Sequence, residues 1–322
     1  MMARHIESLI LTTFTDLGLA EPILRAVSAE GYTNPTPIQS QVIPKMIEGR
    51  DILGTAQTGT GKTAAFVLPL LDHVSRQTGK PAPKQCRALI LAPTRELAAQ
   101  IVDSIKTYGQ FMRHSVALVV GGVKPGGQIR ALSRGVDIIV ATPGRLLDHA
   151  STGVVDLRAT TFAVLDEADQ MMDLGFMPAM RKILAMLPAS RQTALLSATM
   201  PKPIRALASE FLRDPAEIAV AQVSKPIERI DQKVILLDKS QKRDKLIELL
   251  RDKEMDRAIV FTRTKRGADK VAADLDKAGI ASAAIHGNKS QNQRQRALGS
   301  FKDGEVLVLV ATDIAARGID ID

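Results

Sequence analysis

A glycine-rich segment of the sequence has the residue types and spacing that would bind a triphosphate. Residues 56–63 read AQTGTGKT and follow the short apolar run DILGT. In such a turn the glycines let consecutive backbone N–H groups point toward a phosphate, and Lys62 would bind the β- and γ-phosphates. The positive end of the following helix favours the same anion. The predicted nucleotide-binding residues of this segment are Thr58, Gly59, Thr60, Gly61, Lys62 and Thr63, the last also offering its hydroxyl to Mg²⁺.

An acidic segment about a hundred residues later supplies the complementary chemistry. The apolar run FAVL ends in Asp166-Glu167-Ala168-Asp169. At the tip of a buried strand, Asp166 could hold the water shell of Mg²⁺, and Glu167 could orient the attacking water. Each segment alone has an ordinary interpretation, because glycine-rich turns and solvated acidic caps are common and Ala56 departs from the usual first glycine. Their joint occurrence, each after a strand, predicts nucleoside triphosphate binding and hydrolysis.

The elements that must position these residues are short β-type runs that alternate with amphipathic segments. This alternation is typical of α/β folds in which helices cover both faces of a parallel sheet, with the working surface at the carboxyl ends of the strands. The runs occupy residues 51–55, 88–92, 116–120, 137–141, 162–166 and 193–197, and then 233–237, 257–262, 281–286 and 306–312. The pattern loosens after Pro215, so we predict one lobe over residues 1–219, a linker over 220–232 and a second lobe over 233–322.

Composition limits the class of protein. A length of 322 residues with 45% hydrophobic residues fits a globular protein of two lobes. The single cysteine, Cys86, cannot form an intramolecular disulfide, which favours a reducing cytoplasm. Glu7 interrupts the apolar N-terminal run and no stretch reaches the length of a bilayer span, so we expect neither a signal peptide nor a membrane partner.

The charge balance points to an anionic partner. The formal net charge is +8 and the pI is about 9.6, for which nucleic acid is the leading candidate. Aromatic residues make up only 3% and tryptophan is absent, which argues against a surface that stacks successive bases. We expect a polynucleotide to be held by its phosphates and sugars, without sequence preference.

Taken together, these motifs resemble those of the DEAD-box ATP-dependent RNA helicases of superfamily 2, in the order that the family shows. Besides the two segments above, the resemblance rests on GYTNPTPIQ, PTREL, TPGR and SAT in the first lobe and on VFTRTK and ATDIAARGID in the second. It implies two RecA-like lobes, each a parallel sheet flanked by helices, with ATP and Mg²⁺ as cofactors. It also implies RNA-stimulated ATP hydrolysis that drives local unwinding of RNA as the lobes close.

The resemblance also implies roles for residues outside the two segments. Gln39 would hydrogen-bond to adenine, Tyr32 would pack on it and Phe14 would be a more distant aromatic contact. In SAT, Ser197 and Thr199 would couple the acidic motif to lobe movement. The alternative for SAT is a helix N-cap before Pro201.

Further family motifs imply contacts to RNA. In the first lobe, Arg95 and Arg145 would hold phosphates, Thr142 would donate a hydroxyl, and the glycine pair ending at Gly122 would let backbone N–H groups approach the strand. The implied RNA contacts of the second lobe are Arg263, Gln291, Arg294 and Thr312, and Asp320 would reach the ATP ribose. We interpret His286 as a structural or RNA-adjacent imidazole, because the sequence places no metal-ligand partners near it.

One departure from the family pattern leaves alternatives open. The family has a further segment after the position of Asp322, with the arginine-rich motif HRIGRTGR whose arginines face the γ-phosphate. We therefore expect a second lobe that is truncated at its C-terminal end, with an exposed apolar edge and lower stability. The alternatives are an ATP-gated RNA-binding clamp with little turnover and a DNA translocase of the same superfamily. We expect a cytoplasmic monomer, which ribonucleoprotein assemblies could recruit.

Overall fold

The computed structural model describes residues 13–57, 59–220, 231–252 and 255–312. The chain divides into two compact units, residues 1–222 and 223–322, which we name the first and second lobe. Each is α/β, with parallel strands and flanking helices. The predicted fold class is confirmed at this level.

The first lobe is built on a seven-stranded sheet whose described strands all pair in parallel. Its order is β3-β4-β2-β5-β6-β1-β7. The strands are β1 (Ile52–Thr55), β2 (Cys86–Leu91), β3 (Val116–Val119), β4 (Val136–Ala141), β5 (Phe162–Leu165), β6 (Gln192–Ser197) and β7 (Ala216–Ala219). Because the strands are parallel, the loops that follow them emerge at one edge of the sheet.

Helices connect these strands and begin at residues suited to helix starts. Thr94 caps α4, since its Oγ1 accepts a hydrogen bond of 3.2 Å from the N–H of Leu97. A 3₁₀ helix at Phe14–Leu17 precedes the α-helices. These are α1 (Glu21–Ala29), α2 (Pro37–Ile47), α3 (Lys62–Ser75), α4 (Arg95–Tyr108), α5 (Pro125–Leu132), α6 (Pro143–Ser151), α7 (Ala168–Asp173), α8 (Met177–Met186) and α9 (Lys202–Phe211).

The sheet of the first lobe separates two hydrophobic cores. Successive residues of a strand point to opposite faces, so in β2 Ile90 belongs to one core while Leu89 and Leu91 belong to the other. All three are buried. This is why the strands read as continuous apolar runs and not as alternating ones.

The second lobe contains a parallel sheet of three described strands in the order β8-β10-β9. The strands are β8 (Ala258–Thr262), β9 (Ser282–Ile285) and β10 (Val308–Thr312), and the helices are α10 (Lys242–Leu250), α11 (Lys265–Lys277) and α12 (Gln291–Lys302). Within the described residues β8 lies at an edge of the sheet, and Ile259 and Phe261 are exposed there. The predicted lower stability of this lobe stays a prediction.

Two strand predictions differ from the structure. The run at 233–237 forms no strand: Val234 and Leu236 are 89% and 91% exposed, and the run pairs with no strand in the described part of the chain. β propensity without a paired neighbour does not make a strand. In contrast, the sequence pattern does not predict β7, because its segment AEIA contains one large apolar residue, Ile218, and no apolar run; Ile218 is also its one buried residue. No helix of the described residues is both long and apolar enough to cross a membrane.

Candidate nucleotide site and nucleic-acid interface

The turn between β1 and α3 has the backbone of a phosphate cradle. Gly59 and Gly61 have φ of +79° and +88°, a region that L side chains rarely adopt. Gly61 immediately precedes Lys62, the first residue of α3. The Thr60 hydroxyl donates to the carbonyl oxygen of Gln57 at 2.7 Å, which closes the turn. The predicted residue Thr58 lies outside the described residues.

Lys62 is the most informative side chain of this turn. It is only 6% exposed, and within the described part of the chain its buried Nζ has no hydrogen-bond partner. A buried ammonium without such partners is costly, so its environment favours an anion beside it. Thr63, the next residue, is half-buried and lies on the first turn of α3.

Asp166 directly follows β5, and β6 lies between β5 and β1 in the sheet. Its carboxylate is 2% exposed, and Oδ1 accepts a hydrogen bond of 3.0 Å from the N–H of Glu167. Burial raises the pKa of Asp166 to about 6, although the nearby charge of Lys62 acts in the opposite direction. A positive ion beside this carboxylate would therefore relieve the cost of its charge.

Glu167 occupies an unusual backbone conformation. Its φ of +51° is in the left-handed region, and its side chain is 6% exposed. Such conformations cost free energy for residues other than glycine and are concentrated at functional sites. The turn from β5 into α7 thus holds this carboxylate inside the protein next to Asp166, where sequence reasoning expected it.

Asp169 joins the acidic segment to the loop after β6. Its Oδ2 accepts hydrogen bonds from the N–H of Thr199 at 2.8 Å and from the Thr199 hydroxyl at 2.7 Å. The Asp169 N–H donates to the hydroxyl of Ser197 at 3.2 Å. Burial acts to raise the pKa of Asp169, but these hydrogen bonds outweigh it, and the pKa lies below its ordinary value. The alternative that this segment caps α9 does not hold, because Pro201 is the N-cap residue.

Gln39 contacts the phosphate turn directly. Its Nε2 donates to the carbonyl oxygen of Gly61 at 3.2 Å, and its Oε1 accepts from the N–H of Thr36 at 2.9 Å. Tyr32 is 49% exposed, with its ring centroid 6.4 Å from that of Tyr108. Phe14 instead lies in the core of the first lobe, 5% exposed. Among the three predicted adenine contacts, Gln39 is thus the one that the structure connects to the phosphate turn.

The predicted RNA contacts of the first lobe follow neighbouring strands. Arg95 starts α4 after β2, and Gly121-Gly122 follows β3. Gly122 has a φ of +71°, and a Cβ there would overlap the guanidinium of Arg95. The arginine therefore lies over the glycine pair, which only a residue without a side chain permits.

Thr142 and Arg145 begin α6 after β4, the strand between β3 and β2. Thr142 is the N-cap residue and is buried, and its N–H donates to the carbonyl oxygen of Val119 at 3.1 Å. Arg145 donates from Nη1 to the carbonyl oxygen of Val123 at 3.3 Å. The structure thus brings the four predicted contacts of this lobe to one edge of the sheet.

In the second lobe the predicted contacts differ in exposure. Arg263 follows β8 and is exposed, whereas Gln291 and Arg294, on the first turn of α12, are 7% and 9% exposed. Their shared burial is consistent with helix geometry, in which residues three apart lie on one face. Thr312 ends β10 and is also buried. Asp320 lies outside the described residues.

His286 is buried at 2% exposure, directly after β9. Its Nε2 lies 3.0 Å from Oδ1 of Asp269, and its Nδ1 accepts from the N–H of Asn288 at 3.3 Å. Asp269 is also 2.8 Å from Nζ of Lys289. The proximity of His286 and then of Lys289 lowers the pKa of Asp269. These contacts fit the structural interpretation of this imidazole.

Sequence reasoning missed two buried polar residues behind the loops that carry the predicted RNA contacts. Gln128 on α5 and His149 on α6 are 7% and 5% exposed. In sequence each looks like a solvated helix residue, since spacing alone does not distinguish a buried amide from an exposed one. The only available signal is helical spacing, because His149 lies seven residues after Thr142 and four after Arg145.

Comparison with known proteins places these features among helicases. The family models described as DEAD/DEAH box helicase and helicase conserved C-terminal domain match residues 36–207 and 241–322. The ATP-dependent RNA helicase DeaD of Haemophilus influenzae is 42% identical over 311 residues, which cover 96% of this chain and 50% of that protein. The chain spans about half the length of several curated relatives that it matches.

Two solved structures resemble the chain. One is a DEAD box protein from the hyperthermophile Methanococcus jannaschii, with a TM-score of 0.61 and 36% identity, covering 96% of this chain and 82% of that one. The other is a variant of S. cerevisiae Dbp5 bound to a Gle1 variant and IP6, with a TM-score of 0.72 and 30% identity, covering 96% of this chain and 77% of that one.

Proposed function

Because this chain belongs to the DEAD/DEAH box helicase family, we propose that it is the core of an RNA-dependent ATPase that separates short RNA duplexes locally. The observation that carries the proposal is the buried Lys62 ammonium, which has no hydrogen-bond partner within the described residues. It lies in a turn whose two glycines have positive φ, and its charge partly offsets the rise that burial causes in the pKa of Asp166. Such a charge is suited to the phosphates of ATP.

The residues present fit ATP together with Mg²⁺. Backbone N–H groups of Gly59 to Thr63 and the Lys62 ammonium would bind the phosphates, and Thr63 and Asp166 would hold the metal. When bound, Mg²⁺ neutralises phosphate charge. The raised pKa of Asp166 supports this assignment, because burial penalises its negative charge more than the nearby Lys62 charge favours it, and a metal cation would relieve that penalty.

Glu167 is the residue that we assign to the attacking water. A carboxylate that orients water toward the γ-phosphate must have a fixed position, and the positive φ of Glu167 and its burial provide one. Gln39 would select adenine, and we assign Tyr32 and the buried Phe14 to adenine recognition by family likeness alone. We assign Asp320 to the ribose and Thr58 to the phosphates by family likeness alone.

RNA would be held through its backbone by the loops after β2, β3 and β4. Arg95, Gly122, Thr142 and Arg145 meet there and offer guanidinium, hydroxyl and backbone donors for phosphates. Within the second lobe the assigned contacts are Arg263, Gln291, Arg294 and Thr312. A site of this kind grips any sequence, and its affinity falls with salt.

Coupling between ATP and RNA would pass through the bonds between Asp169 and the loop after β6. Ser197 and Thr199 are tied to Asp169 by three hydrogen bonds, so a shift of the acidic segment would move that loop. ATP and RNA would together close the lobes, here taken as residues 1–219 and 233–322 joined by 220–232. Closure would bend one RNA strand so that its partner is released.

In this proposal the chain acts as a helicase core. We propose a cytoplasmic monomer that ribonucleoprotein assemblies recruit, and the RNA substrate stays open. The alternative is an ATP-gated RNA-binding clamp with little turnover. The clamp needs the same nucleotide site and the same RNA-binding loops, and only the rate of ATP hydrolysis separates it from the helicase.

The test measures ATP hydrolysis by the purified full-length protein, with and without single-stranded RNA. The proposal predicts that RNA raises turnover and that DNA of matched sequence does so far less, because only RNA offers a 2′-hydroxyl. Equal stimulation by DNA would favour the translocase. Binding of ATP and RNA without stimulated turnover would favour the clamp and contradict the enzyme.

A further inference from the structure

Gln128 and His149 form a buried polar pair behind the loop that follows β3. Oε1 of Gln128 lies 3.1 Å from Nε2 of His149, and Nε2 of Gln128 lies 2.9 Å from the carbonyl oxygen of Val120. Both side chains are more than nine-tenths buried. Burying an amide and an imidazole is costly unless their hydrogen bonds are made, so this arrangement is specific.

The direction of the two hydrogen bonds is fixed by chemistry. The carbonyl of Val120 can only accept, so the amide nitrogen of Gln128 must face it and the amide oxygen must face His149. The imidazole must therefore carry its proton on Nε2. Burial and the positive charge of Arg145 lower the pKa of His149, which favours the neutral ring. Two consecutive hydrogen bonds thus connect His149 through Gln128 to the carbonyl oxygen of Val120.

These two hydrogen bonds end at the residue before the glycine pair. Val120 immediately precedes Gly121-Gly122, and Arg145 binds the carbonyl oxygen of Val123 on the other side of the pair. The loop over residues 120–123 is therefore held at both ends. Gln128 bonds to its first residue and is itself bonded to His149 of α6, while Arg145 of α6 bonds to its last residue. Arg145 acts directly, and His149, one turn later, acts through Gln128.

We propose that Gln128 and His149 are positioning residues for RNA. By fixing the carbonyl of Val120 they would set the orientation of the Gly121 and Gly122 N–H groups and leave room for the Arg95 guanidinium over Gly122. RNA would then meet donors that are already in place, which lowers the cost of binding. The inference rests on the proposed function, because it presupposes that RNA lies on this loop.

The first test replaces Gln128 by Leu, which removes both hydrogen bonds at similar volume. The matched control is Gln110→Leu, since Gln110 is exposed and donates to the carbonyl of Thr107 at 3.0 Å. Binding of a fluorescein-labelled oligo(U) RNA is measured with a nonhydrolysable ATP analogue in the full-length protein. We expect Gln128→Leu to weaken RNA binding about 10-fold. Affinity for a fluorescent ATP analogue should stay the same, and Gln110→Leu should match the wild type.

A second pair of variants separates positioning from simple packing. His149→Gln keeps a nitrogen donor where Nε2 lies, whereas His149→Phe keeps the ring shape and removes the donor. We expect His149→Phe to weaken RNA binding about 10-fold and His149→Gln to stay within about 3-fold of the wild type. This comparison also decides the matter if Gln128→Leu does not fold.

Several outcomes would overturn the inference. Equal RNA binding by His149→Phe and the wild type would do so, and so would a parallel loss of RNA and ATP affinity with a lower melting temperature, which indicates a purely structural role. If the wild type binds ATP but no RNA, the proposed function fails as well. If the wild type binds RNA and the variants bind as tightly, only the positioning role is wrong.

Discussion

The side-chain amide of Gln39 donates a hydrogen bond of 3.2 Å to the carbonyl oxygen of Gly61. This contact joins the predicted adenine-recognition segment to the phosphate turn. The same amide bonds to the N–H of Thr36 through its oxygen, so its orientation is fixed from both sides. A nucleotide that engages Gln39 would therefore act on the residue directly before Lys62.

This relationship makes Gly61 more sensitive to substitution than Gly59. Both have positive φ, but a Cβ at Gly61 would lie 2.5 Å from Nε2 of Gln39, whereas a Cβ at Gly59 would meet no atom of the described residues within 4 Å. Both alanine variants should show backbone strain, and Gly61→Ala should lose about 1–2 kcal/mol more because it displaces the Gln39 amide. Urea unfolding of both variants measures the difference. Equal losses would show that the Gln39 contact contributes nothing.

Much of this architecture was predictable from the sequence because it depends on local chemistry. The apolar runs that became β1 to β6, and the turn from Gly59 to Lys62, follow from buried parallel strands and from the backbone freedom of glycine. The prediction of a strand at 233–237 was wrong, because β propensity does not tell whether a neighbouring strand is available for pairing.

Other features depend on contacts between distant residues, which spacing does not reveal. The burial of Phe14 in the first-lobe core is one such feature, and the Gln128–His149 pair is another. The bonds between Asp169 and Thr199 join residues thirty positions apart in sequence. The family resemblance indicated that the two segments are coupled, but only the fold shows which atoms bond.

The Glu167→Gln variant tests the assignment of the attacking water. An amide keeps the size of the side chain but removes the charge that orients water, so turnover should fall at least about 100-fold. Nucleotide binding should remain close to that of the wild type. ATP hydrolysis and binding of a fluorescent nucleotide measure the two effects, with the exposed Glu210→Gln as control. Turnover at the wild-type rate would remove this role from Glu167.

The buried carboxyl of Asp166 should make the nucleotide-free protein less stable at neutral pH. Its pKa rises from 3.8 to about 6 on folding, so between these values the folded state binds more protons than the unfolded state. Stability therefore falls as the pH rises through this window, by up to about 3 kcal/mol, and stays lower above it. Asp166→Asn lacks this loss and should be more stable than the wild type at pH 7.

Urea unfolding in EDTA from pH 4 to pH 8 measures this difference, with Asp103→Asn as the exposed control. The gap between Asp166→Asn and the wild type should nearly close at pH 4, where the Asp166 carboxyl of the folded protein is protonated and so neutral like the asparagine amide. A gap that stays constant over this range would show that Asp166 is not desolvated as described.

Arg145 should contribute to RNA binding mainly through the attraction between its guanidinium and the RNA phosphates. Replacing it by Ala should weaken binding to all sequences alike and reduce the slope of log K against log salt by about 1. Arg158→Ala is a suitable control, because Arg158 precedes β5 and so lies at the opposite edge of the sheet. Titration of labelled RNA at several salt concentrations measures both slopes. An unchanged slope for Arg145→Ala would exclude it from the phosphate contacts.

The most direct measurement for the central claim is calorimetric titration of the folded protein with ATP and Mg²⁺, in the wild type and in Lys62→Ala. The buried ammonium, the positive-φ glycines and Asp166 together predict saturable binding by the wild type. They also predict loss of that binding in Lys62→Ala, at an unchanged or higher melting temperature, because the variant no longer buries an ammonium that lacks a hydrogen-bond partner among the described residues. Absence of saturable binding by the folded wild type, or equal affinity in the variant, would contradict the account.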